Sequence, residues 1–301
     1  MKFSRIAVST VLMGWIAALP LLAQRNEEIT KSFAKKDEVR LKFALGSCTL
    51  KRSSDEGIHV HLAYSYDEEK FEPRMEERTR YLLLEEKFHG NSHRGYSNWT
   101  VSVPEGTEVD FHTGTGDLFI QGLTVKIEGE TGTGDIEITS AKGKFDLNTG
   151  TGSIEVTDGE GEFELNSGTG KVAIENSKGN FDANSGTGRI EANNLTIEDE
   201  GEFNCGTGDV EVVSPKGEDY DLSISSGTDD AILTMKGVPI EGYFEFTAHA
   251  RRGRISSPVK FDKEEEYWDG NEKYVRKSFT KGKGTPRFHI STGTGRATLN
   301  R

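Results

Sequence analysis

The sequence is short of most of what builds an ordinary core. Leu, Ile, Val and Phe supply 68 of 301 residues, roughly 23%, just above the ~20% level below which charged chains stay disordered. Two cysteines are too few for a disulfide scaffold. Seven prolines without a glycine at every third position exclude collagen. There is one long apolar run, at the very start, where a polytopic helical membrane protein needs several. No Gly-x-Gly-x-x-Gly fingerprint occurs between a strand and a helix, and beyond the first residues no segment has strong helical periodicity. Composition leaves two readings, a disordered acidic chain or a fold with a thin core.

Glycine (35 residues) and acidic charge are plentiful, for a net charge of −13. The charge is uneven: residues 246–301 hold 13 Lys/Arg and 6 Asp/Glu, so +7, and the remainder carries −20. An acidic body repels nucleic acid and anionic headgroups, so no nucleic-acid partner is expected. The basic end either binds an anion or pairs with the acidic body. Met1–Arg5 is a basic start, Ile6–Ala18 is apolar, and Leu19-Pro20-Leu21-Leu22-Ala23 follows. This reads as a signal peptide over 1–23, implying export to the periplasm, cell surface or medium, with membrane contact only if the segment stays uncleaved. Residues 24–37 read as a linker.

The remainder is organised by a repeat. Gly-Thr-Gly recurs as Gly114/Gly116, Gly132/Gly134, Gly150/Gly152, Gly168/Gly170, Gly186/Gly188 and Gly206/Gly208, at steps of 18, 18, 18, 18 and 20. A degenerate copy at Gly227 follows after 21 residues, and a last copy begins at Gly293. Each unit carries a short alternation such as Ile136-Glu137-Ile138, a polar turn such as Ser140-Ala141-Lys142-Gly143, and a second alternation such as Phe145-Asp146-Leu147. Period-two alternation means strands with one buried face. Two strands and two turns in 18 residues make one coil of a β-solenoid.

Stacking the units gives an inward column Ile127, Phe145, Phe163, Phe181, Gly201, Leu222 and a neighbouring column Gly129, Leu147, Leu165, Ala183, Phe203, Ile224. Large residues stand beside small ones, as close packing demands. A third column, Thr131, Thr149, Ser167, Ser185, Cys205, Ser226, is small and polar, and it places Cys205 inside the stack as a lone thiol rather than in a disulfide with Cys48. The expectation is an all-β, single-domain β-solenoid, right-handed by the crossover rule, with coils of about 18 residues, two short strands per coil and structural glycines at the corners. Residues 38–110 read as irregular first coils and cap, 111–257 as regular repeats, 258–285 as an insertion, and 286–301 as a C-terminal coil. The insertion holds Tyr267, Trp268 and Tyr274 and is either a covering flap or a binding loop.

Candidate sites are few. Glu128, Asp146, Glu164, Asp182 and Glu202 form an outward acidic column at coil spacing, where like charges cost stability. It is either an open face for a cation or a basic partner, or a solvated column neutralised by Lys126 and Lys144. A calcium roll does not fit, because Lys171 and Arg189 sit in the column Asp117, Asp135, Ser153, Lys171, Arg189, Asp209, and hard cations need oxygen ligands. His59-x-His61 and His89-x-x-x-His93 have metal-ligand spacing, but an exposed strand face is the simpler reading for the first pair. Asp219, Asp221, Asp229 and Asp230 are the one acid cluster near a period break. The short turns leave little wall for a catalytic cleft, so no enzyme, metal or cofactor is expected.

Val101-Ser102-Val103-Pro104-Glu105-Gly106-Thr107, the serial Thr/Ser-Gly-Thr-Gly-Asp-Ile units and the closing segment Gly284–Gly293 resemble the bacterial putative-adhesin family of Gly-rich surface β-solenoids, over about residues 38–301. The resemblance implies an exported, non-enzymatic protein and brings no catalytic residues. The Gly-Thr-Gly uniformity and the 258–285 insertion depart from the family pattern. The expected role is a cell-envelope adhesin or scaffold acting through its extended faces on a glycan, a protein or another copy of itself. The alternatives are a polysaccharide-active enzyme using the four-aspartate cluster and a cation-responsive module using the acidic column.

Overall fold

The computed structural model describes residues 26–90 and 94–301; the signal-peptide reading and His93 lie outside them. The described residues hold 27 strands and no helix, arranged as a 13-stranded and a 14-stranded sheet. Each regular coil gives one strand to each sheet. Lys142–Thr151, Glu160–Thr169 and Lys178–Thr187 pair in parallel in the larger sheet, while Ile136–Thr139, Ile154–Thr157 and Val172–Glu175 pair in parallel in the smaller. The inward columns hold their register: Ile127 faces Phe145, then Phe163, Phe181, Gly201 and Leu222. The rings of Phe145, Phe163 and Phe181 stack at 5.0 and 5.3 Å. Beside Gly201 and Ala183 the ring of Phe203 takes up the volume, 6.4 Å from that of Phe181.

The strands of a coil are unequal, ten residues in the larger sheet and four in the smaller. The long strand is not stopped by Gly-Thr: its ladder continues through Gly132 to pair Thr133 with Thr151. The two glycines therefore serve differently. Gly150 lies within the strand, and a Cβ there would sit 2.7 Å from the Gly132 carbonyl oxygen. Gly152 makes the turn at φ +156°, and its Cβ would lie 2.0 Å from the Gly134 oxygen. The close stacking of backbone on backbone excludes a side chain at both. The opposite corner uses a left-handed residue in each coil, Ser140, Asp158, Asn176, Asn194 and Ser214, with φ of 51–55°, a conformation short polar side chains tolerate.

Stack order departs from chain order at both ends. Glu38–Phe43 and Ser47–Arg52 form a coil lying between the later coil Tyr81–Phe88/Ser97–Val103 and the coil begun by Glu108–Thr115. Likewise Arg287–Thr292 and Arg296–Asn300 do not end the stack; they are wedged between the coils of Asp221–Ser226 and Gly242–His249. A wedged coil has both edges paired, so neither of these two coils frays as a free edge would. Glu27–Phe33, in the stretch read as linker, is a strand antiparallel to Ile58–Tyr64, because Ile29 and Phe33 pack against the core end.

Residues 66–95 contain an antiparallel hairpin, Phe71–Glu77 with Tyr81–Phe88, and Tyr64, Tyr66, Phe71 and Phe88 close that end of the core with ring centroids about 5 Å apart. At the other end the 258–285 insertion forms the hairpin Lys263–Asp269/Glu272–Lys281, which extends the larger sheet beyond Gly242–His249. Phe261 packs on Phe246 and Phe279 over the core. The outer edges are blunted against further pairing: Pro73 and charge in Phe71–Glu77, charge in Lys263–Asp269, three residues in Arg254–Ser256, and Lys31 on the core side of Glu27–Phe33.

Candidate functional site: the outer face of the larger sheet

Alternation that turns Phe145 and Leu147 inward turns Asp146 outward, and parallel in-register pairing repeats that geometry in every coil. Glu128, Asp146, Glu164, Asp182 and Glu202 accordingly stand in one line. The line is one residue longer than expected: Asp110 pairs with Glu128, and an 18-residue step back from Glu128 would have found it. Arg40 lies beyond Asp110, and Ser223, His289 and Glu245 continue the line past Glu202. Strand spacing of about 4.8 Å sets the carboxylates close together.

Lys126 and Lys144 do not neutralise this column directly. Lys126 pairs with Glu108 at 3.4 Å and Lys144 with Glu162 at 2.8 Å, both one column over. The acids instead meet amides on the other side. Asn148, Asn184 and Asn204 donate to Asp146, Asp182 and Glu202 at 3.0, 2.7 and 2.7 Å. The asparagines also bond to one another, Asn184 to Asn166 at 3.1 Å and Asn204 to Asn184 at 3.3 Å. This amide ladder was legible as an 18-residue recurrence of Asn but escapes a search for ionisable groups.

Between the acidic column and its neighbour on the other side runs a groove. One stretch, of about 220 Å³, is bounded by Lys144, Glu162, Glu164, Asp182 and Glu202. It shares Glu200 with the next, of about 290 Å³, bounded by Asp221, Tyr243, Glu245, Arg287 and His289. At that end Tyr243 donates to Glu245 at 2.8 Å, and Glu245 lies 3.4 Å from His289 and 3.6 Å from Arg276. Desolvation holds the His289 imidazole below its ordinary value, with the Glu245 charge opposing. The groove thus passes from carboxylate walls that include Lys144 and Asn180 to a mixed end with an aromatic ring, an imidazole and guanidinium groups.

The other candidates resolve as structure. Asp117 accepts the backbone N–H of Asp135 at 2.9 Å, and Asp135 that of Ser153 at 2.7 Å, so the aspartates after Gly-Thr-Gly tie one corner to the next. The Asp219/Asp221/Asp229/Asp230 cluster is split. Asp219 and Asp221 lie at the start of Asp221–Ser226 and Asp229 and Asp230 beyond its end, and Asp230 is held by Arg296. His59 and His61 face outward, bonded to Ser32 at 2.9 Å and Thr30 at 3.1 Å, with Asp55 2.8 Å from His59. The backbone N–H of Gly57 and then His59 hold the Asp55 carboxyl below its ordinary value. Among the described residues no three His, Cys, Asp or Glu side chains converge as a metal site. Cys48 and Cys205 are buried and free.

With the stacked coils and their corners in place, comparison with known proteins decides the family. The Toastrack DUF4097 family model matches residues 38–237. This chain belongs to that family. No curated protein matches it. Among solved structures, the Toastrack chain is similar to a putative adhesin from Bacteroides fragilis NCTC 9343, at 14% identity over 91% of this chain and 97% of that one, with a TM-score of 0.43. A putative adhesin from Parabacteroides merdae ATCC 43184 is 12% identical over 93% and 97%, TM-score 0.35. A putative cell adhesion protein from Clostridium sporogenes ATCC 15579 is 13% identical over 92% and 99%, TM-score 0.26. In this Toastrack chain, the matched span includes the Gly-Thr-Gly coils and most of the acidic groove but ends before the mixed C-terminal end.

Proposed function

We propose that this Toastrack chain is an exported, non-catalytic module of the cell envelope that holds an extended partner along the outer groove of its larger sheet, as an adhesin or scaffold does. The observation that carries the reading is the groove itself, a run of carboxylates repeated at coil spacing, with Lys144 and Asn180 among them, and closed by Tyr243, His289 and Arg287. Such walls offer hydrogen bonds at a fixed repeat, which suits a linear glycan or an extended peptide better than a compact substrate. Carboxylates in file at coil spacing, with the Glu245–His289 pair at one end alone, suit binding along the groove. The leader-like start of the chain supports export. The blunted sheet edges favour a different partner over edge-to-edge self-association.

The test is retention of envelope polysaccharide and protein fractions on the immobilised chain. Replacing Glu164 and Asp182 together by Lys reverses the groove's charge at its middle and is expected to abolish retention, while Glu137→Lys on the smaller sheet leaves it intact. Equal retention by both variants would overturn the reading.

A further inference from the structure

The corner opposite Gly-Thr-Gly is a two-residue turn in the regular coils, as between Ile136–Thr139 and Lys142–Thr151. It opens where the repeat step lengthens to 21 residues. Loops 214–220, 235–241 and 282–286 meet there and enclose a cleft of about 610 Å³, which continues past Met235 and Val238 into a second of about 320 Å³. Clefts of roughly 300–1,000 Å³ take small molecules.

Tyr220, Met235 and Phe288 form the floor, at 3%, 2% and 1% exposure, with Val238 and Pro286 in the wall. The Tyr220 hydroxyl is already directed at the Pro215 carbonyl, 3.4 Å away, and burial pushes its pKa up, as expected of a dry floor. Sugar recognition needs several directed hydrogen-bonding groups, and this floor has none unspent. Above the floor the half-buried apolar surface of Val238, Ile240, Val259 and Pro286 alternates with charged groups, and such a mixed lining suits an amphiphile. The rim carries Lys216, Lys281, Lys283 and Arg301 against Glu218 and Glu241. Lys281 and Lys283 belong to the stretch that gives the chain its basic end, and neither has an ion-pair partner among the described residues, so the excess of positive charge here is free to meet an anion.

We propose that this cleft binds a single-chain amphiphilic carboxylate, a fatty acid, with its hydrocarbon along Val238 and Ile240 and its carboxylate at Lys281 and Lys283. The site is distinct from the outer groove and does not depend on it. The test is calorimetric titration of the full chain with laurate below its critical micelle concentration, with dodecanol as the uncharged probe. Saturable one-to-one binding is expected. The double variant Lys281→Glu/Lys283→Glu should weaken laurate by about ten-fold or more and leave dodecanol unchanged, whereas Val238→Asp should weaken both. Trp268→Ala, on the exposed hairpin, should alter neither. The lysines are exposed, so this double variant keeps the fold, and an unchanged melting curve verifies it; it decides the matter even if Val238→Asp fails to fold. No saturable laurate binding, or full laurate affinity in the double variant, overturns the proposal. Capture by anionic phospholipid vesicles without binding of free laurate overturns it as well, since the ligand would then be a membrane surface.

Discussion

The Thr149 hydroxyl donates to the carbonyl of Gly134, one coil back, at 2.9 Å. The same bond recurs from Thr131 to Gly116, Ser167 to Gly152, Ser185 to Gly170 and Ser226 to Gly208, at 2.9–3.0 Å. Cys205 fills the position with its thiol 3.4 Å from the Gly188 oxygen. The small polar column therefore binds each turn to the preceding one. Thr149→Val keeps the volume and removes the donor, leaving a part-buried carbonyl short of a partner. It should lower unfolding stability by about 1–3 kcal/mol, with Thr149→Ser nearly neutral, as read by urea denaturation. Equal midpoints for Val and Ser would show that the bond contributes nothing.

Gly150→Val should cost several times more than Glu155→Gln. The first drives a branched side chain into the Gly132 carbonyl, where even a Cβ finds only 2.7 Å; the second alters an exposed position, where substitutions usually stay within about 0.5 kcal/mol. Thermal melts of the two variants compare them directly, and similar melting temperatures would refute the tight backbone stacking at Gly150.

Glu86 is 6% exposed yet fully satisfied. Ser97 and Trp99 donate to one oxygen, at 2.5 and 2.8 Å, and the N–H groups of Ala44, Leu45 and Gly46 converge on the other at 3.0–3.1 Å. It anchors the first corner, where Ala-Leu-Gly replaces Gly-Thr-Gly. Glu86→Gln turns an acceptor-only group into one that also presents donors to donors, and should destabilise by about 2–4 kcal/mol. Hydrogen exchange at residues 44–46 should rise in that variant; unchanged protection would show that the carboxylate does not hold the turn.

Asp230 fastens the wedged last coil by accepting the Arg296 backbone N–H at 2.8 Å and guanidinium nitrogens at 2.9 and 2.6 Å. Burial works against its charge, but these bonds outweigh burial and hold the carboxyl below its ordinary 3.8. A depressed folded-state pKa means that the stabilisation is present above about pH 4 and is lost as pH falls through the lower folded value. Asp230→Asn should therefore flatten the acid limb of the stability–pH curve below pH 4 and leave its slope near neutrality unchanged. An acid limb identical to wild type would remove Asp230 from the account.

The regular coils were legible because a period of 18 with alternation of two leaves one way to keep every apolar side chain inside. Phe145, Phe163 and Phe181 can only stack if their coils do, and Asp146, Glu164 and Asp182 follow on the outside. The ends were not legible for a related reason. Periodicity states which residues share a column but not the order in which coils join the stack, and Asp221 and Tyr243 are equally good neighbours for Arg287 until both are seen beside it. The cleft at Met235 and Val238 depends on three loops far apart in the chain, announced only by a longer step. Whether Lys126 and Lys144 met the acidic column or the one beside it was decided by side-chain reach across the sheet.

By itself the sequence determined the stacked-coil architecture and the content of the regular core, because short-range alternation and stacking volume act at every coil. Tertiary structure alone decided the wedged terminal coils, the direction of the lysine pairs and the meeting of the three loops, because these rest on contacts between segments that share no period.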